Sequence, residues 1–255
     1  MSKVMINRGL SPIVSPIVTI VIFSAATVFL TLGLSMDVFA GLFGLGGNTL
    51  SWKEEVLLHD GQIVIAERFY RLGGYPTIES QERAALDETV TFTLSATNKK
   101  VVWKTDFRDS EPEANSLNLI LFDVVKGAPY IVTYPVGCIA YNKWKRPNPP
   151  QVLFKYEDEQ WKRIQVSEFP IEASKANVIV GRPASKLLQA FYTAEQVNKR
   201  NSEIRTPEYR EVLRAPISRP NPMCPDLVRV NGGWESPNGS KTPIPIKPVN
   251  TNDRK

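Results

Sequence analysis

The residues best suited to ligand chemistry lie in one short stretch, residues 141–150, where aromatic side chains alternate with cations and prolines follow. The residues concerned are Tyr141, Lys143, Trp144, Lys145 and Arg146. An aromatic ring stacks on a sugar or another ring, while lysine and arginine bind an anionic group beside it. We call 141–150 the aromatic-basic segment. It predicts a binding loop for an anionic glycan, an anionic lipid head or a partner protein.

A second interpretation of the aromatic-basic segment involves no ligand. Tyr141 and Trp144 would then close one end of a β-domain, and the cations would only solvate the loop.

The sequence contains few residues arranged as catalysis would require. His59 is the one histidine of the chain, which excludes a metal site built from several histidines. It stands beside a predicted turn, where we expect an exposed side chain. The sequence contains no Gly-X-Ser-X-Gly elbow, phosphate-binding glycine loop or His-Glu-X-X-His helix. We therefore expect no catalytic residue, metal or cofactor, and a non-enzymatic protein; an enzyme using His59 or Asp109 would need a deep pocket around them.

Cys138 and Cys224 are the two cysteines, and their spacing fits neither a Cys-X-X-Cys redox site nor a zinc site. In an oxidising compartment they could form a disulfide, and closing so long a loop would stabilise the fold by about 4 to 5 kcal/mol. Two separate thiols are the alternative, because sequence does not show whether the two residues can reach each other.

The position of these residues in the cell depends on residues 13–34, an uncharged apolar stretch that begins at Ile13 and ends at Leu34. As a helix it spans roughly 33 Å, enough to cross a hydrocarbon core of about 30 Å. Basic residues precede it without acidic ones, which predicts a cytoplasmic N-terminus (1–12), a transmembrane anchor (13–36) and an exported body. The alternative is a signal peptide cleaved after Ala40.

Composition agrees with a globular body that carries a basic tail. The formal charge of +5 is concentrated towards the C-terminus, where the partner could be anionic lipid, a cell-wall polymer or nucleic acid. Export makes nucleic acid the least plausible of these, so we expect none.

After a glycine-rich linker (37–50), residues 51–182 show repeated strand, turn and strand spacing. Asp60-Gly61 predicts a tight hairpin turn, and 117–125 is apolar on both faces, which is typical of a central strand covered on two sides. The predicted strands are 52–59, 62–71, 89–95, 101–107, 117–125, 130–136, 152–157, 161–166 and 177–180. The pattern indicates a mainly β fold, an antiparallel β-sandwich or small barrel.

Two further segments follow the β-domain. Residues 183–215 predict a helical appendage, with one helix over 185–199 and a short second one opened by Thr206-Pro207-Glu208. Residues 216–255 are proline-rich and predict an extended tail without regular structure, whose first part Cys224 could pin to the body.

The stretches 51–61 and 141–150 resemble those of a family of uncharacterised proteobacterial envelope proteins that begin with a hydrophobic segment. The resemblance implies a bacterial envelope location and brings no activity, cofactor or catalytic residue.

We therefore expect a single-pass inner-membrane protein with a periplasmic β-domain, acting as a non-enzymatic interaction or structural module. Its partner would be an envelope protein or a cell-wall polymer. The alternative is a binding module for anionic glycan or lipid through the aromatic-basic segment.

Overall fold

The computed structural model describes residues 49–73, 83–94, 97–105, 117–218, 220, 223–231 and 233–237. The predicted anchor at 13–34, the cleavage position at Ala40, Asp109 and the end of the predicted tail lie outside these residues. Within the described part of the chain, none of the helices has both the length and the apolar character needed to cross a membrane.

The first sheet has five strands in the order β4-β3-β2-β1-β9. The strands are β1 (Thr49–Leu57), β2 (Ile63–Gly73), β3 (Ala84–Thr93), β4 (Lys100–Lys104) and β9 (Phe191–Tyr192). β1 begins inside the predicted linker, and β9 joins it in parallel, whereas the other neighbours are antiparallel. The predicted hairpin turn is confirmed: Gly61 has a φ of 86°, and Asp60 accepts a hydrogen bond from the Gln62 N–H.

The second sheet has four antiparallel strands in the order β5-β6-β7-β8. They are β5 (Leu117–Val125), β6 (Ala128–Pro135), β7 (Val152–Glu157) and β8 (Gln160–Ile164). Tight turns join β5 to β6 at Lys126-Gly127 and β7 to β8 at Asp158-Glu159, and all four turn residues have positive φ.

The main core lies between the two sheets. Phe92 of the first sheet stacks on Phe122 of the second with ring centroids 3.7 Å apart, and both are fully buried. Burying a side chain of this size stabilises a fold by about 1.5 to 3 kcal/mol. The predicted mainly β fold is confirmed, and two facing sheets are consistent with a β-sandwich.

The outer face of the second sheet is covered as well. Ile120, Leu121 and Val132 pack there against Phe169 and Val212, which belong to the irregular segments that follow β8. The two-faced apolar pattern of 117–125 is thereby explained. β5 is nevertheless an edge strand and not the central one that the pattern predicted.

The predicted strand at 177–180 is wrong, because a side chain takes the place of a backbone ladder. The Asn177 amide nitrogen donates to the carbonyl oxygens of Phe122 and Leu57 over 2.8 and 2.9 Å, and its oxygen accepts from the Phe122 N–H over 3.0 Å. Phe122 is in β5, and Leu57 ends β1. Asn177 therefore covers the edge of one sheet and joins it to the other.

The described residues form two α-helices, α1 (Gly137–Lys143) and α2 (Ala194–Ser202). The helix predicted over 185–199 is wrong in its first half, which holds the 3-10 turn Ser185–Leu187 and strand β9. Thr193 sets the true start, since its side chain accepts from the Gln196 N–H and the Gln196 side chain accepts from the Thr193 N–H. The second predicted helix is the single 3-10 turn Pro207–Tyr209.

The prediction that 216–255 lacks regular structure is wrong for one hairpin, formed by β10 (Val228–Val230) and β11 (Gly233–Glu235). Asn231 has a φ of 48° at its turn and precedes a glycine in the sequence, a pair that favours hairpins. Trp234, the middle residue of β11, has a buried side chain.

Candidate functional site

The aromatic-basic segment begins with the last three residues of α1, 141–143, and only its remainder, 144–150, has the loop structure that the sequence predicted. Lys145 and Arg146, directly after the helix, have positive φ values of 64° and 48°. The Arg146 N–H donates to the Tyr141 carbonyl over 2.7 Å, which ends the helix by reversing the chain. The Arg146 guanidinium consequently lies 4.9 Å from the centroid of the Tyr141 ring.

Both aromatic residues of the segment are used in packing. Tyr141 is 2% exposed, and this burial raises the pKa of its hydroxyl. Trp144 is partly buried against the main core, meeting Phe154 edge to face with centroids 5.8 Å apart. This is the packing expected if the two aromatics close one end of the domain.

The cation that lies over the Tyr141 ring, Arg146, binds the protein's own chain. The Arg146 guanidinium donates to the carbonyl oxygens of Cys224 and Pro225 over 3.2 and 3.0 Å. Its Nε also lies 3.1 Å from the Asp226 carboxylate. Arg146 therefore holds the described residues between Pro216 and Pro237, which we call the strap.

Two asparagines hold the strap in the same manner. The Asn148 amide donates to the Ile217 carbonyl and accepts from the Ile217 N–H, over 3.0 and 2.8 Å. The Asn142 amide donates to the Pro225 carbonyl and accepts from the Leu227 N–H, both over 3.0 Å. Each amide thus makes the pair of bonds that a neighbouring strand would make.

A disulfide between Cys138 and Cys224 adds a covalent link between α1 and the strap. The Cα atoms of the two residues lie 5.0 Å apart. Because Cys224 directly precedes Pro225, the covalent link and the Arg146 contacts act on the same short piece of chain.

The structure brings four of the predicted residues to this one place: Tyr141, Arg146, Cys138 and Cys224. Lys145 is exposed, Lys143 is partly exposed, and Trp144 lies on the core side. Sequence reasoning missed Asn142 and Asn148. Their hydrogen-bond partners lie more than 65 residues away in sequence, so no local pattern marks them as functional.

His59 lies in the turn after β1 and is an exposed residue, as the sequence predicted, but its side chain is held by an acid that the sequence did not indicate. Its Nδ1 lies 2.7 Å from Oδ1 of Asp123, and its backbone N–H donates to the other carboxylate oxygen over 3.1 Å. The side chains of His59 and Asp123 are only 23% and 3% exposed. The hydrogen bond to Asp123 raises the pKa of His59 by more than burial lowers it. The pair links the β1–β2 turn to β5.

A buried ionic network lies on the inner face of the first sheet. The Arg68 guanidinium donates to the carboxylate of Glu54 over 2.8 Å and to that of Glu88, and all three side chains are fully buried. They come from β2, β1 and β3. The pKa of Glu88 is raised, chiefly by burial, although the charge and hydrogen bond of Arg68 oppose the rise.

The same network holds the irregular segment that lies over it. Arg68 donates to the Ile179 carbonyl over 3.1 Å, while the Ile179 N–H donates to Glu54 over 3.2 Å. The Trp52 indole donates to Glu54 over 3.0 Å, and its ring centroid lies 5.0 Å from the guanidinium. These contacts pair the buried charges with one another and with the chain that lies over them, while one carboxylate oxygen of Glu88, Oε2, is buried without a hydrogen-bond partner.

Two open clefts are the remaining candidate binding sites. The first, of about 350 Å³, is lined by Lys175, Ala176, Asn198, Asn201, Ser202, Arg210 and Glu211. The second, of about 340 Å³, lies among the hairpin turns and is lined by Leu94, Lys99, Val101, Gly127, Pro129, Tyr156, Glu157, Asp158 and Glu159. His59 lines neither cleft. Among the residues that the structure describes, no three acidic, histidine or cysteine side chains are grouped to hold a metal.

Comparison with protein-family models, with curated protein sequences and with solved structures finds no match.

Proposed function

We propose that this protein is a single-pass inner-membrane protein with a cytoplasmic N-terminus. Its periplasmic β-sandwich acts as a non-enzymatic interaction or structural module of the bacterial envelope. Residues 13–34 supply the anchor, and the body from about residue 49 faces the periplasm.

The observation that carries this proposal is the disulfide between Cys138 and Cys224. Structural disulfides persist in oxidising compartments and are rare in the cytosol. The disulfide therefore supports the same side of the membrane that the charges around 13–34 predict. The two lines of support are independent, because one comes from the anchor and the other from the body.

The use of the reactive side chains supports a module that is not an enzyme. Arg146 binds the strap, His59 binds Asp123, and Arg68 binds Glu54 and Glu88. Each of these contacts joins separate segments of the chain, so these side chains have a structural role.

The cleft among the hairpin turns is the surface that best suits a partner protein. Three turns converge there: the one between β3 and β4, Lys126-Gly127 and Asp158-Glu159. Leu94, Pro129 and Tyr156 supply apolar area, and exposed acids surround it, as in the core and rim of many interfaces. We assign the partner contact to this end of the body.

Photo-crosslinking in intact cells tests the assignment. A photoreactive amino acid replaces Glu159 at the cleft in one variant and Glu195 on α2 in a matched control; both positions are exposed. We expect an adduct with an envelope protein from position 159 and much less from 195. An equal yield at the two positions, or no adduct at either, would contradict the assignment.

A second candidate function is binding of an anionic glycan or lipid by the aromatic-basic segment. It is favoured by one observation: Lys145 is exposed and held in a left-handed conformation beside Lys143 and Trp144. Trp144→Ala is a poor test, since loss of its core packing should itself destabilise the body by about 3 kcal/mol.

Lys145→Ala is the informative variant for this second function. If the segment binds anions, it should lower retention on peptidoglycan or on phosphatidylglycerol vesicles and leave the melting temperature unchanged. Exposed Lys186 provides the control substitution. Equal retention of the Lys145→Ala and Lys186→Ala variants would reject this function.

A further inference from the structure

We propose that the groove formed by α1 and the chain up to Asn148 binds an exchangeable strap, so that the strap of a second copy of this chain docks there in place of the protein's own. The proposal goes beyond the function proposed above and does not depend on the compartment that holds the body.

The groove recognises main-chain atoms. Asn142, Asn148 and Arg146 together contact the backbone of Ile217, Cys224, Pro225 and Leu227. Met223, in contrast, leaves 89% of its surface exposed, and the Asp226 side chain 74%. A second copy presents the same backbone, the same cysteine and the same buried Leu227, so its strap meets the same contacts.

The strands of the strap form a sheet of their own. Its strands β10 and β11 pair with each other and, among the described residues, with neither of the two larger sheets. Residues 214–216, which lead into it, are exposed. A segment that docks through a few side chains and follows an exposed connection is the kind of element that proteins exchange between copies.

Exposed apolar side chains lie on the docked strap and just before α1. Val136 directly precedes α1 and is 42% exposed, while Met223, Val228 and Val230 of the strap are 89%, 48% and 37% exposed. Exchange places each strap on the other copy, and burial of these side chains between the copies favours the pair.

Two complementary variants of the full-length chain, purified in detergent, test the proposal. The Cys138→Ser copy keeps only the strap cysteine, and the Cys224→Ser copy keeps only the groove cysteine. The two are mixed in equal amounts in a glutathione buffer. Each bond between copies joins two thiols and reduces one oxidised glutathione to two reduced molecules. We expect a disulfide-linked heterodimer in clear excess over the homodimers that either variant forms alone.

Substitution of Asn142 and Asn148, whose amides bond the strap backbone, separates docking from random oxidation. Asn142→Ala with Asn148→Ala in the Cys224→Ser copy removes the groove that receives the strap, and should lower the heterodimer yield about tenfold. The same pair of substitutions in the Cys138→Ser copy releases its own strap, and should raise the yield or leave it unchanged. Equal effects in the two copies, or a heterodimer no more abundant than the homodimers, would overturn the proposal.

A measurement on the unsubstituted chain guards against misfolded variants. The protein is reduced, then reoxidised at low and at tenfold higher concentration. The proposal expects a disulfide-linked dimer whose fraction rises with concentration. A product that is monomeric at every concentration would overturn it.

Discussion

Arg146 donates a hydrogen bond of 3.2 Å to the carbonyl oxygen of Cys224, the residue whose sulfur is bonded to Cys138. A cation that the sequence suggested for an external anion thus binds the backbone of its own chain. The aromatic-basic segment and the cysteine pair, which are separate features of the sequence, form one structural unit that holds the strap on the body.

Removal of the disulfide should destabilise the body strongly. Cys138 and Cys224 are 86 residues apart, and cross-linking a loop of that length raises the free energy of the unfolded chain by about 4 to 5 kcal/mol. We expect the Cys138→Ser/Cys224→Ser variant to lose about that much free energy of unfolding in urea. The matched comparison is the unsubstituted protein with reductant, which should match the variant. A loss below about 1 kcal/mol would show that the bond does not constrain the fold.

The buried network should be sensitive to loss of its cation. Arg68→Ala leaves Glu54 and Glu88 buried without their partner, which should cost roughly 3 to 5 kcal/mol. Arg71 on the same strand provides the control: it pairs with Asp87 and is 40% exposed, so Arg71→Ala should cost at most about 1 kcal/mol. Urea unfolding measures both, and similar losses for the two variants would contradict the role given to Arg68.

Asn177 should be needed to join the two sheets. Asn177→Ala leaves the buried N–H and carbonyl of Phe122 and the carbonyl of Leu57 without this partner, a loss of about 2 kcal/mol or more. The exposed Asn198 on α2 is the control, with an expected change within about 0.5 kcal/mol. Thermal and urea unfolding should agree. A mild effect of Asn177→Ala would mean that water replaces its three hydrogen bonds.

The His59–Asp123 pair should make stability depend on pH. The pKa of His59 is raised in the folded state, chiefly by its hydrogen bond to Asp123, so the folded protein holds the proton more tightly than the unfolded chain. The stabilisation is complete below the unfolded pKa of about 6.5 and is lost as the pH rises through the folded value.

The measurement is the difference in free energy of unfolding between the unsubstituted protein and His59→Gln, from about pH 5.5 to pH 8.5. We expect the difference to be largest at the acidic end and to shrink towards the basic end. A difference that is flat or grows with pH would contradict the pairing.

Most strands could be predicted from local sequence patterns, whereas the contacts of the candidate site could not. Alternation of apolar and polar side chains, with Asp60-Gly61 at a turn, sufficed for most of both sheets because pleating is a local property. Asn142, Asn148 and Asn177 act through partners far away in sequence, so their environment is invisible to a local pattern.

The buried ionic network and the hairpin of β10 and β11 each left a signal in the sequence, but a stronger signal pointed elsewhere. Glu54 and Arg68 stand at inward positions of their strands, each two residues from an inward aromatic residue, Trp52 or Tyr70, and their charge concealed a buried network. The density of prolines after Pro216 concealed the hairpin that Asn231 and the following glycine favour.

The state of Cys138 and Cys224 in living cells tests most directly whether the body is an exported domain closed by a disulfide. Cells are quenched with acid, and the protein is treated with a maleimide–polyethylene glycol reagent with and without prior reduction. The account predicts no change in gel mobility without reductant and a shift by two reagent molecules after reduction. Modification of both thiols without reductant would contradict it, because the body would then reside where the disulfide does not form.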